Sequence, residues 1–179
     1  SADTLTVDIG GGGQFTSLGA AIDAASSGDV IEVAPGTYIE DVDLQGKDLE
    51  IVGTGGSAQT FLLGAGVGEP AVRMTNGEGP GTLLQGFDIS GANTAIDDTL
   101  IGGCLHVVGA EPTLRDLVIH DCVAHVGAGM WLHESEVILE DVELFDNVAS
   151  PVGDGGEGYG GGIYASGSEL SLDGVDAHD

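Results

Sequence analysis

Residues 102–124, GGCLHVVGAEPTLRDLVIHDCVA, and residues 127–149, GAGMWLHESEVILEDVELFDNVA, align without a gap at an offset of 25 residues. The offset pairs Leu105 with Met130, Val107 with Leu132, Leu114 with Leu139, Leu117 with Val142, Ile119 with Leu144, Asp121 with Asp146 and Ala124 with Ala149. Few charged residues match, so what recurs is the apolar spacing. A third copy, residues 160–179, places Ile163, Ala165, Leu172, Val175 and Ala177 on the same positions at an offset of 33, with the added residues falling around 150–159. Upstream, Leu84, Phe87 and Ile89 match Leu114, Leu117 and Ile119, and Val72 and Met74 supply the preceding pair.

Each copy reads as short strands with side chains alternating in and out, separated by turns that admit insertions at certain corners only. A meander of hairpins has no reason to keep a fixed period near 25. Successive coils stacked in parallel do, because equivalent residues then lie over one another at about 4.8 Å. The spacing therefore predicts Met130 resting on Leu105 and Leu139 on Leu114. The pairs Gln85-Gly86, Arg115-Asp116, Glu140-Asp141 and Asp173-Gly174 fall at equivalent corners, where glycine or a short polar side chain tolerates unusual backbone angles. Asn147 is placed to hydrogen-bond along its turn, and Cys122 holds the same position one coil earlier.

The amino-terminal part is different. Residues 16–25, TSLGAAIDAA, read as a short amphipathic helix capped by Thr16 or Ser17, with Leu18, Ala21, Ile22 and Ala25 on one apolar face. The open end of a coil stack exposes apolar core and unpaired strand edges, so a helix laid across it acts as a lid. We divide the chain into residues 1–28, strand and capping helix, and residues 29–179, the coils. The sequence VDAHD stops inside the third copy, which reads as a piece of a longer stack or a coil end that meets a partner.

At this point the chain resembles the right-handed parallel beta-helix proteins of the pectate-lyase-like superfamily. GGGGQFTSLGAAIDAASSGDVIEVAPGTYIEDVDL is similar to the start of pectin-methylesterase-type exported proteins, through the helical lid, the GD.I.V.PGTY pattern and the strand that follows. GG.IY and [FH]D[NC].A resemble short repeats of bacterial surface beta-helix proteins. The resemblance implies an all-β, right-handed parallel beta-helix with a short N-terminal capping helix, exported from the cell. It identifies no chemistry: neither Arg73 nor Arg115 falls in an active-site motif of these families, and Asp97-Asp98 lacks the histidine and arginine motifs of the polygalacturonase-like hydrolases.

Thirty acidic residues against three basic ones, Lys47, Arg73 and Arg115, give a net charge of -27. Such a chain repels nucleic acid and anionic membrane and attracts divalent cations, or it reflects adaptation to a saline or extracellular setting. No run approaches the roughly 18 apolar residues of a membrane span. The start, SADTLTV, has neither a basic region nor a hydrophobic stretch, as in a chain from which a signal peptide has been removed. Both expectations point to a secreted or cell-surface protein without membrane insertion.

Side chains between the inward positions point outward. His106, Trp131 and Tyr164 then form one column, extended by Arg73, with Val108, His133 and Ser166 beside it. Rings stacked at coil spacing offer a polysaccharide or cell-surface glycan the apolar faces on which a pyranose rests; the same rings can simply pack against one another. Asp121, Asp146 and Asp179 recur at one corner, and Asp154 with Glu157 form another acidic pair. Calcium is the metal these groups would take, since it accepts carboxylate and backbone oxygens in flexible geometry; hydrated surface charge is the alternative. The five histidines show no zinc-ligand spacing. Cys104 and Cys122 are either a disulfide of an oxidising compartment or two small buried groups.

The expected function is a noncatalytic exported module for surface structure, adhesion or glycan contact, assisted by calcium and self-associating through its carboxyl-terminal coil. The alternative is a polysaccharide-active enzyme, lyase or esterase-like. An enzyme should set a carboxylate near Arg73 or Arg115 in a groove, and a structural module should show a smooth acidic stack.

Overall fold

A computed structural model describes residues 2–66, 68–95, 102–151 and 157–178. Sixteen strands and one helix follow in the order β1 (Thr4–Val7), α1 (Leu18–Ala24), β2 (Val30–Val33), β3 (Gly36–Ile39), β4 (Val42–Asp43), β5 (Glu50–Gly53), β6 (Thr60–Leu63), β7 (Val72–Met74), β8 (Leu83–Ser90), β9 (Leu105–Val108), β10 (Thr113–His120), β11 (Val123–Ala124), β12 (Met130–His133), β13 (Glu136–Phe145), β14 (Val148–Ala149), β15 (Ile163–Ser166) and β16 (Glu169–His178). A long sheet runs β1-β2-β5-β8-β10-β13-β16, with β3 and β6 joining at its side; a second runs β15-β12-β9-β7-β4, and β11 pairs with β14. The pairings are parallel, as in a right-handed beta-helix.

The repeat sets the register. Met130 lies opposite Leu105, Leu132 opposite Val107, Leu139 opposite both Leu114 and Leu172, and Leu144 opposite Ile119. Alternation sends these residues into one contiguous core that runs from Leu5 to Leu144, with Leu105, Leu114, Met130 and Leu139 wholly buried. Leu172 occupies the same inward register but is 57% exposed, because no described residue stacks on β16 from beyond. The expected corners have left-handed backbone at Gly86 (φ 79), Asp116 (φ 48), Asp141 (φ 53) and Gly174 (φ 64). At Gly174 a Cβ would lie 2.5 Å from Oδ1 of Asp141 on the preceding coil, so a side chain there would have to displace the Asp141 carboxylate.

Helix α1 closes the end of the stack with Leu18, Ala21 and Ile22 buried. Ser17 is its N-cap, Oγ accepting from the Ala20 N–H at 3.2 Å. Two charges complement the helix termini: the Glu40 carboxylate accepts the N–H groups of Leu18 (2.7 Å) and Gly19 (2.9 Å), and Lys47 Nζ donates to the carbonyl of Ile22 (2.6 Å). Strand β1 pairs with β2 and Leu5 and Val7 belong to the common core, so the segment before residue 28 continues the long sheet.

Between coils, the Asn147 amide bridges to the turn below: Oδ1 accepts from the Cys122 N–H at 3.1 Å and Nδ2 donates to the Ile119 carbonyl at 2.8 Å. Cys104 and Cys122 are joined as a disulfide, both sulfurs sealed in the core. No helix among the described residues is long and apolar enough to cross a membrane.

Candidate functional site

The register of the five-stranded sheet builds an outward column from side chains that are far apart in sequence. Asp43 of β4 lies beside Arg73 of β7, Arg73 beside His106 of β9, His106 beside Trp131 of β12, and Trp131 beside Tyr164 of β15. The next outward position carries Val108, His133 and Ser166. Four rungs separate Asp43 from Tyr164, about 19 Å at parallel-strand spacing.

At the lower end, Arg73 sits in a groove of about 210 Å³ with Asp41, Asp43, Glu69 and Pro70. Its guanidinium is ion-paired with Glu69. Burial is the main cause that holds the Asp41 carboxyl above the ordinary aspartate range; the Glu69 charge adds to it, while the Ala65 N–H, donated at 2.9 Å, and Arg73 oppose it. Asp43 is fixed through Oδ1, which accepts the Gln45 N–H at 2.7 Å.

The middle of the column is covered. His106 is 7% exposed although its register is outward, and its Nδ1 accepts the Gly102 N–H at 3.0 Å. Burial, with a smaller contribution from Arg73, pushes the His106 pKa down to about 4. The ring meets Trp131 edge-on, centroids 4.5 Å apart at 79°. Trp131 is half-buried and lies nearly parallel to His133 at 6.0 Å; Tyr164 is half-buried above it. The column is thus a cation, a buried imidazole and two partly open rings, where alternation alone suggests a fully exposed series.

The outer face of the long sheet carries a second set. Arg115 pairs with Glu140 on the next coil and donates to Gln85 Oε1 on the previous one at 3.4 Å. Beside it, a groove of about 360 Å³ is lined by Ser57, Asp116, Asp141, Glu143 and Asp176. Ser57 Oγ donates to Asp116 Oδ1 at 2.8 Å, tying the corner to an earlier loop. Next to this row His120, Phe145 and His178 stack nearly flat, at 4.8 Å and 5.6 Å.

Of the residues singled out for metal, Asp121 and Asp146 share a left-handed corner (φ 52 and 50), Asp121 receives His120, and Glu157 accepts from the Tyr159 hydroxyl at 2.6 Å. Asp154, Asp179 and the Asp97-Asp98 pair lie outside the described residues. Among those described, no group of three or more His, Cys, Asp or Glu is arranged around one point for a metal ion. The sequence reading missed Asp41, Asp43 and Glu69 as companions of Arg73. The one available signal was the offset of 30 that puts Asp43 under Arg73.

The sequence matches no family model, and comparison with curated proteins finds no match. Solved structures do match. A mutant pectin methylesterase in complex with a hexasaccharide is 12% identical with a TM-score of 0.63, over 98% of this chain and 66% of that one. Pectin methylesterase from carrot is 16% identical with a TM-score of 0.57, over 97% and 63%. The deglycosylated enzyme from Aspergillus niger is 15% identical with a TM-score of 0.53, over 80% and 57%. At these identities the likeness is one of fold, a right-handed parallel beta-helix, and the chain spans 57% to 66% of the length of these three relatives.

Proposed function

We propose that the chain is the beta-helical part of an exported, polysaccharide-active protein that lays a glycan along the outer face of the five-stranded sheet and acts on it at the Arg73 groove. The observation that carries this reading is the meeting of Arg73 with Asp41, Asp43 and Glu69 at the foot of a column continued by His106, Trp131 and Tyr164. Two of the similar structures are pectin methylesterases in complex with hexasaccharides, a ligand of the same class.

Each group has a part that its chemistry suits. Trp131 and Tyr164 present ring faces to the apolar side of a pyranose. Arg73 is a permanent cation that steadies negative charge developing on a carbonyl or leaving oxygen. Asp41 holds its proton more readily than an ordinary aspartate, which suits a group that gives and takes one. Esterase-like and lyase reactions both need such a pair. With a net charge of -27 the chain repels polyuronate, so a neutral or ester-capped glycan is favoured as substrate.

A second reading, a noncatalytic surface module that holds the glycan unchanged, is favoured by the pairing of both arginines, Arg73 with Glu69 and Arg115 with Glu140. Calcium has a place in either reading as an ion that screens the acidic corner of Asp121 and Asp146, and self-association through the carboxyl-terminal coil goes with it. A chelator-sensitive shift in solution mass checks both.

The functional test incubates the protein with methyl-esterified and de-esterified pectin and follows methanol release and unsaturated chain ends. Binding is followed through Trp131, the single tryptophan. Product from esterified pectin supports the catalytic reading, binding without product supports the second, and neither binding nor product overturns both.

A further inference from the structure

His106 is 7% exposed, and one of its two ring nitrogens has no protein partner among the described residues. Its Nδ1 accepts the Gly102 N–H, and a ring nitrogen that accepts carries no proton, so the neutral imidazole has its hydrogen on Nε2. Among the described residues no acceptor takes that Nε2–H. The arrangement depends on Gly102, where a Cβ would fall 2.6 Å from the Leu105 carbonyl oxygen and 2.7 Å from the Trp131 Cβ. A larger residue would lift the chain off the ring and release the tautomer.

The charged and titratable groups around the ring work in one direction. Arg73 faces it from β7 with Glu69 paired behind, and on β12 Trp131 stands against it with His133 beyond. Among the described residues no carboxylate is bonded to the ring to draw a second proton onto it. The buried side-chain atoms left without a partner among the described residues are Thr60 Oγ1 and Thr82 Oγ1, so His106 Nε2 is not sealed from solvent, and its hydrogen can pass from water to an acceptor on a ligand.

We infer that His106 is a specificity-determining hydrogen-bond donor, whose Nε2–H takes an uncharged oxygen, hydroxyl or ester carbonyl, of a sugar lying across the step from Arg73 to Trp131. The inference rests on the reading that this face holds a glycan. It adds a reason for a neutral ligand: Arg73 is already ion-paired with Glu69, and His106 brings a dipole rather than a charge to the next rung.

Two measurements test it. In the unbound, nitrogen-15-labelled protein at pH 6, His106 should show a protonated Nε2 and an unprotonated Nδ1; a doubly protonated ring or the opposite tautomer overturns the inference without any ligand. Calorimetric titration with fully methyl-esterified hexagalacturonide and with cellohexaose then compares the native protein with His106→Phe and His106→Gln. His106→Phe, which has no donor, should bind the better probe about tenfold more weakly, and His106→Gln, which keeps an N–H, should lose less than about threefold. Equal affinity of His106→Phe and native protein overturns the role of His106 and leaves the glycan face standing. Failure of the native protein to bind either hexasaccharide, with the ring tautomer as expected, overturns the glycan face and the inference with it.

Discussion

His120 places Nε2 3.0 Å from Oδ1 of Asp88, one coil below, while its Nδ1 lies 2.8 Å from Oδ2 of Asp121 at the following corner. Ionised carboxylates only accept, so two such partners favour the imidazolium, the form in which both ring nitrogens donate. Burial pulls its pKa down, but the Asp121 hydrogen bond and the Asp88 charge outweigh this and hold it above 6.5.

A raised folded-state pKa makes this bridge a stabilising element whose contribution is complete below pH 6.5 and is lost as pH rises through the folded value. His120→Phe keeps the flat stack on Phe145 and removes the charge. It should lose about 1–2 kcal/mol at pH 6 and distinctly less at pH 9, read from urea unfolding at the two values.

The disulfide bond between Cys104 and Cys122 closes a loop with a sequence separation of 18, joining the turn before β9 to the turn after β10. A loop of that size restricts the unfolded chain by about 3 kcal/mol. The double variant Cys104→Ala, Cys122→Ala should therefore unfold at lower urea by about that amount, and added reductant should lower the native protein towards it and leave the variant unchanged.

The lid depends on one side chain that lies outside it. Glu40 satisfies two N–H groups at the start of α1, and Glu40→Ala leaves both without a partner beside a half-buried turn. The expected cost is about 1–2 kcal/mol, with hydrogen exchange accelerated across residues 18–24 ahead of the long sheet. Uniform loss of protection over the whole chain would show that α1 is no separate unit.

How much of this could be read beforehand follows from what repeats. Leu105, Met130, Leu114 and Leu139 were legible because every coil must offer an apolar side chain at the same inward position, and His106, Trp131 and Tyr164 followed because strand alternation fixes direction once register is known. Glu40 and Lys47 were not legible as helix partners. They reach α1 across more than twenty residues, and no local pattern records such a contact. Nor was the burial of His106, whose outward register gives no sign of the Gly102 N–H that bonds to its ring. Asp41 and Asp43 were hidden for a third reason: β4 is two residues long, too short to show a period.

Asp41 gives the sharpest separation of function from stability. Its folded pKa lies above the unfolded value, so ionising it in the fold is unfavourable, and its negative charge weighs against stability as pH rises above the unfolded value. Asp41→Asn retains an oxygen to accept the Ala65 N–H and removes a like charge from beside Glu69. The variant should melt at or a few degrees above the native temperature at pH 7 and bind the hexasaccharides with little change, yet lose turnover of esterified pectin by a factor of about a hundred or more if Asp41 moves the proton. Thermal melts, calorimetry and methanol release on the same preparation check the three parts. A variant that melts lower and keeps its turnover would return Asp41 to the surface charge of the coil and move the chemistry away from Arg73.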